Sequence, residues 1–471
     1  MMKSRRQFLK STCLWSLPFV AYPNTVIGSN NDFQKYLDKI LLSAKNLALG
    51  KDLVLRIMYP DGCLANLLPI VSIFEKRTNV KVKLIKSSVE DINTKILNTA
   101  MLQESSFDIA LPATYGLPDL AEVGALTNLD HYVKKYEAPF YSQNALYKLG
   151  DSYNGSKFGY QTDGDVYVMF YLEHIFKKND FNNKYADLYG EEIKVPSSWY
   201  ELDRLMTFFH EPDKNRFGGC LFRTPGYIVW EWWLRFHSFG IYPFADDMTA
   251  NIDSEAGMLA LESLIKSTDF QHPSVYTNDL FENWRLYEKG NCLVNIGWGG
   301  TQKYIRRPDS RLEHNVIIAP TPDVSYFNWG WNYVVSNYSQ HKEIAYLFCL
   351  LATMPQVSNY AIREEEGFFD PFRKEHYEDP HIQQAYGIPF LKTHFEAMSK
   401  AIPDLYMQER SAYIQVLEDS IFMALEGDLT IEKAMRYTAQ QWERITDEVG
   451  RKKQIEQWLH LKNKYPKSFG R

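Results

Sequence analysis

Between Asp52 and Leu126 the chain switches its apolar period five times, and this alternation is the strongest constraint on what it can become. Asp52 to Tyr59 is β-rich, Leu67 to Arg77 has helical spacing, Val80 to Ile85 alternates, and Glu90 to Gln103 is helical again. Phe107 to Leu111 then reads as a buried strand and Leu117 to Leu126 as a helix. A βαβαβα series of this kind predicts a parallel sheet covered by helices. An amphipathic helix over 31–49 precedes it.

A second block starts near Lys157. Strands are expected at Val166 to Tyr171, Cys292 to Ile296 and Val316 to Ala319, with helices entered at Ser197-Ser198 and spanning Glu255 to Lys266. Past Trp331 the pattern is helical: His341 to Thr353, Pro389 to Ser399, Ser411 to Glu426, Ile431 to Val449 and Lys452 to Tyr465. A chain of 471 residues exceeds what one core accommodates, so two α/β lobes are expected.

Ser4-Arg5-Arg6-Gln7-Phe8-Leu9-Lys10 fits the twin-arginine export consensus, with Arg5 and Arg6 as its signature, ahead of a short apolar run that Pro18 interrupts. Residues 1–28 are therefore expected to be a signal peptide read by the twin-arginine translocase, and the periplasm the destination. The net charge is −6, and the signal itself carries four basic residues and no acid. A nucleic-acid partner is not expected of an acidic chain without a basic stripe. The longest later apolar run, Ile344 to Met354, is too short to cross a bilayer. Cys63, Cys220, Cys292 and Cys349 show neither a disulfide framework nor zinc spacing.

Ligands of open parallel sheets bind beyond the carboxyl ends of strands. Tyr59-Pro60-Asp61-Gly62, Pro112-Ala113-Thr114-Tyr115 and Gly297-Trp298-Gly299-Gly300 occupy such ends. Pro60-Asp61-Gly62 is equally ordinary turn chemistry, whereas the Trp298 ring, set among three glycines on a loop, has few neighbours of its own to pack against. Asp165 opens a strand that otherwise reads as buried, and an unpaired buried carboxylate is costly, so it needs a partner. Trp230, Trp232, Trp233, Trp329 and Trp331 cannot all share one helix face, and some must point away from a core. Each could also be plain core, the reading given to Trp199, Trp284, Trp442 and Trp458. Rings lie well against the C–H faces of sugars, and carboxylates match pairs of hydroxyls. Metalloprotease, serine-hydrolase, Walker and dinucleotide motifs are absent, and Glu211 to Gly218 fails as a calcium loop. No catalytic residue, metal or cofactor is assigned. Paired carboxylates of a glycosidase stay open on these residues.

Several motifs, in order, resemble the extracellular solute-binding proteins of the maltose-binding type. They are Phe107-Asp108-Ile109-Ala110, Leu120 to Asp130, Asn154 to Tyr160 with Asp163-Gly164-Asp165 and Tyr167, Ser198-Trp199-Tyr200-Glu201-Leu202, Leu286 to Gly290 with Ile296-Gly297-Trp298, and Gly330 to Val335. The stretch Glu366 to Arg373 departs from the family pattern and adds Phe368. The resemblance implies a two-lobed periplasmic binding protein fold of type II, with mixed sheets, a hinge and a helical C-terminal region. It implies first-lobe segments 29–162 and 296–330 and second-lobe segments 163–295 and 331–471. It further implies a receptor that captures a carbohydrate by hinge closure and hands it to the permease of an ABC importer. Asp61, Tyr115, Asp163, Asp165, Trp230, Trp232, Trp298, Trp331 and Phe368 are its expected contacts. A periplasmic carbohydrate hydrolase, or the same receptor holding a polyamine or cyclitol, are the competing expectations.

Overall fold

The computed structural model describes residues 30–312 and 315–470, so the twin-arginine segment lies outside the described residues. Nine strands build the two principal sheets: Val54–Pro60 (β1), Lys81–Ser87 (β2), Ile109–Ala110 (β3), Gly159–Gln161 (β4), Val168–Leu172 (β5), Phe217–Gly219 (β6), Cys292–Gly297 (β7), Val316–Pro320 (β8) and Asn332–Val335 (β9). The first sheet runs β2-β1-β3-β9-β4. Its first three strands are parallel, with Ile57 opposite both Leu84 and Ile109, and β9 is antiparallel to β3 and β4. The second runs β8-β5-β7-β6, antiparallel except for the β7/β6 pair.

Local chemistry accounts for the elements. Helix Leu64–Thr78 buries Leu67, Ile70, Val71 and Phe74, spaced to share one face, and stops at Asn79, whose left-handed backbone (φ 62°) lets its N–H reach the Glu75 carbonyl. Helix Trp199–Phe209 starts where Ser198 Oγ accepts the Glu201 N–H at 3.2 Å, the cap expected from Ser197-Ser198. Every residue of β5 and of β7 is buried, as central strands between helical layers must be. Among the described residues no helix is long and apolar enough to cross a membrane. Cys63, Cys220, Cys292 and Cys349 are all buried free thiols.

The strand pairing corrects the expected segments. Residues 296–330 were expected to return to the first lobe, yet Val316–Pro320 pairs with β5 in the second sheet. The return comes at β9, whose Val334 and Val335 lie opposite Ala110 and Ile109. Segment 331–471 therefore begins in the first lobe, where Phe348 of helix Lys342–Ala352 meets Phe74 at 5.1 Å and Asn66 Nδ2 donates to the Ala361 carbonyl of helix Pro355–Ile362. Only from helix Ile388–Lys400, which lies on β8 and β5, does the remainder belong to the second lobe. Chemistry explains the error: an apolar strand run is equally at home in either sheet, and the partner is decided far away in sequence.

The chain thus passes between lobes at residues 162–166, at 327–331 and after helix Pro355–Ile362. These passes touch. Thr162 N–H donates to the Trp331 carbonyl at 2.9 Å, and a Cβ on Gly164 would stand 2.1 Å from the Pro371 carbonyl oxygen, so only glycine fits there.

Candidate functional site

Helix Ile228–His237 supplies one wall of the interlobe gap. It is anchored by Glu231, which accepts from Arg223 at 2.7 Å and Arg235 at 2.9 Å, and Arg235 in turn reaches Asp203 at 2.7 Å. Burial alone would raise the Glu231 carboxyl, but the two guanidiniums outweigh it and hold it below its ordinary value. On this fixed helix Trp230 faces the gap, and Trp232, two residues on, points the other way. Trp232 stacks on Phe236 at 5.1 Å inside the second lobe, so the expectation that it lines the site is not met.

Around Trp230 the aromatic side chains of both lobes and of the passes converge. Trp298 lies 4.6 Å from Tyr167, 6.2 Å from Trp230 and 5.6 Å from Trp329. Trp329 is 5.1 Å from Trp230 and 5.7 Å from Trp331, and Tyr115 is 6.4 Å from both Trp230 and Trp329. The Arg410 guanidinium sits 4.0 Å over the Tyr115 ring. The Trp298 ring, expected to lack neighbours, is 4 % exposed and embedded among these rings. Its Nε1–H donates to Asn328 Oδ1 at 3.1 Å, whereas the buried indole N–H groups of Trp230, Trp284 and Trp329 have no acceptor among the described residues.

Asp61, Asp165, Trp298, Trp331 and Phe368 line one cleft together with Trp284 and Trp329. Its free volume of about 40 Å³ has room for water, not for a sugar ring, because the rings have closed on one another. Trp284, read from sequence as structural, is a wall of this cleft with the Phe368 ring 5.0 Å away. Trp329 belongs to the cleft equally, and the signal for it was its position beside Trp331 and Gly330. Asp61 is at the mouth, half-exposed, paired with Lys86 at 2.8 Å, whose hydrogen bond lowers its carboxyl.

Beneath the rings lies a cluster of acids. Oxygens of Asp163, Asp165 and Asp370 fall within 4.8 Å of one another, all buried. The Gly330 N–H donates to Asp165 Oδ2 at 3.2 Å, the Gly299 N–H to Asp370 Oδ2 at 2.6 Å and the Asp370 N–H to Asp163 Oδ1 at 2.5 Å. Asp163 Oδ2 has no hydrogen-bond partner among the described residues. Burial, and then the carboxylates' mutual repulsion, pushes Asp163 and Asp165 well above the usual range, and burial raises Asp370 to about 7. The nearest cation, Lys303, already donates to the carbonyls of Ile362, Glu364 and Gly367 at 2.8, 2.8 and 2.6 Å, and burial lowers it to about 8. The three carboxyls can therefore share protons or a cation, and offer both donors and acceptors to hydroxyl groups. Asp370 gave no sequence signal beyond its place in the divergent stretch Glu366 to Arg373.

A model of the family described as bacterial extracellular solute-binding protein matches residues 64–349. The solved structure of maltose-bound MalE3 from T. maritima is similar with TM-score 0.70 and 18% identity, covering 83% of this chain and 100% of its own. An ABC transporter solute-binding protein from Thermotoga lettingae, bound with alpha-D-tagatose, gives 0.72 and 17%, over 83% and 99%. One from Agrobacterium vitis with bound D-mannitol gives 0.70 and 17%, over 84% and 99%. At such identities the likeness establishes the two-lobed fold. No curated protein matches by sequence.

Proposed function

Since the chain belongs to the bacterial extracellular solute-binding proteins, we propose that it captures a carbohydrate between its lobes in the periplasm and delivers it to the permease of an ABC importer. The observation that carries this reading is the convergence of ring faces, unpartnered indole N–H groups and buried carboxyls where the passes between lobes meet. Ring faces suit sugar C–H surfaces, each contributing on the order of 0.5–1.5 kcal/mol by analogy with aromatic pairs, and the polar groups suit hydroxyls. The maltose, tagatose and mannitol of the similar structures are solutes of the same hydroxyl-rich kind. A solute touching both lobes favours the closed form by its differential affinity, and a swing from 1:99 to 99:1 needs about 5.5 kcal/mol. Export through the twin-arginine translocase rests on the segment Ser4 to Lys10, with Arg5 and Arg6 as its signature, and on the short apolar run after it.

The test is tryptophan fluorescence titration with mono- and oligosaccharides, followed by chromatography of the mixtures. Saturable quenching with every sugar recovered intact is expected. Released products would instead identify a hydrolase. The acid cluster favours one other reading, an amine-bearing solute, and spermidine binding at the expense of sugars would establish it.

A further inference from the structure

Behind Trp329 lies a second, smaller void of about 10 Å³, a neck walled by Tyr115, Tyr147, Phe327 and Tyr406, with Asp404 held by Arg410 at 2.7 Å. Beyond the neck lies a chamber of about 980 Å³. Trp329 lines both cleft and neck, and Tyr147, Leu149 and Tyr406 line both neck and chamber, so adjacent spaces share walls. One wall of the chamber is the first-lobe loop 146–155, and the other is helix Arg451–Lys462 with the residues after it. Hydrogen bonds such as Gln457 Nε2 to Tyr153 Oη at 2.6 Å join the two walls.

The chamber's chemistry differs from that of the cleft. Lys148, Lys453, His460 and Lys464 face one carboxylate, Glu456, in a chain whose net charge is −6. Lys453 is engaged by Glu122 at 2.8 Å, while Lys148 and Lys464 make no ion pair among the described residues. Tyr147 stacks on Phe327 at 3.7 Å and carries a buried hydroxyl with no hydrogen-bond partner among the described residues. A lining with more lysines than carboxylates, beside an aromatic surface, recognises an anion attached to a body with an apolar face.

We propose that this chamber receives the anionic end of a carbohydrate chain, a carboxylate or sulfate on its terminal sugar, whose neutral portion lies along the tryptophans. The inference rests on the carbohydrate reading above and adds length and charge to it. Because Tyr115 and Tyr147 come from the first lobe and Phe327 and Tyr406 from the second, the neck widens as the lobes part, and the chain is laid in before closure rather than threaded.

The experiment is isothermal titration calorimetry with three tetrasaccharides of equal length: maltotetraose, maltotetraose whose terminal glucose is oxidised to a glucuronate, and terminally sulfated maltotetraose. Wild type and the Lys148→Ala/Lys464→Ala double variant are compared, with melting temperatures checking that both are folded. At low salt at least one acidic tetrasaccharide should bind about tenfold or more tightly than maltotetraose, and which one it is separates carboxylate from sulfate. That advantage should shrink at about 0.5 M NaCl and vanish in the double variant, with maltotetraose affinity unchanged. Equal affinities for all three, or an advantage that survives the double substitution, would overturn the inference and leave the carbohydrate reading standing. Failure of every tetrasaccharide where a smaller sugar binds would overturn the inference alone, and failure of every sugar would overturn both.

Discussion

Asp370→Asn replaces one of three crowded carboxyls by an uncharged group of the same shape, and its effect on stability follows from the sign of the Asp370 shift. Burial raises the folded-state value from 3.8 to about 7. The folded protein therefore keeps a proton that the unfolded chain releases. The associated stability is fully present below pH 4 and is lost as pH rises through about 7. That gap corresponds to about 4 kcal/mol. Asparagine avoids the loss at every pH and still offers an acceptor to the Gly299 N–H or the Tyr386 hydroxyl, which now reach separate oxygens of Asp370. It also withdraws a negative neighbour from Lys303, which offsets part of the gain. The expected net is about 2 kcal/mol of stabilisation at pH 8, seen as about 4 °C in Tm for lobes of this size, with a smaller gain at pH 5, where only part of the loss has accumulated. Asp163 and Asp165 keep their own raised values, so the pH dependence is weakened and not abolished. Scanning calorimetry of both proteins at the two pH values decides it. A variant less stable than wild type at pH 8, or two Tm curves running parallel between pH 5 and 8, would refute the reasoning.

Trp298→Ala removes a ring packed against Tyr167, Trp230 and Trp329, so it should cost about 3 kcal/mol as well as weakening solute binding at least tenfold, with Trp298→Phe recovering most of the stability. Calorimetric melting and titration read the two effects, and unchanged affinity would remove Trp298 from the site. Glu231→Gln leaves Arg223 without a counterion in the core, Arg235 keeping Asp203, and should cost about 3–5 kcal/mol in chemical denaturation; an unshifted midpoint would contradict the network's role. Asp119, on the first lobe, accepts the Glu409 N–H at 2.7 Å and the Ser411 hydroxyl at 3.0 Å from the second. Asp119→Ala should loosen this junction and raise the radius of gyration of the solute-free protein in X-ray scattering, and an identical profile would show that the contact does not hold the lobes together.

The alternation that predicted the first sheet is local: apolar periods of two and of 3.6 residues are written in each segment, which is why β1, β2 and the helices between and after them were legible. Which sheet Val316–Pro320 would join was not, because strand pairing depends on a partner more than a hundred residues away. The site divides in the same manner. Asp165 stood out because a carboxylate at a buried strand demands a partner, Asp163 through the family resemblance, and Trp298 because it follows a strand at its carboxyl end. Spacing showed that the tryptophans cannot all share one face, and both Trp230 and Trp232 were expected in the site, but only tertiary packing tells which of them meets the other lobe. Asp370 lies 207 residues from Asp163, and no local pattern links the two.

The central claim is that two lobes close on a solute between them. It is tested most directly by the distance between spin labels on Leu102→Cys and Leu188→Cys, exposed positions on helices of the first and second lobes. Pulsed electron resonance should give a distance distribution that shifts and narrows when a solute shown to bind by calorimetry is added at saturation. One fixed distance, unaltered by that saturated solute, would contradict the account.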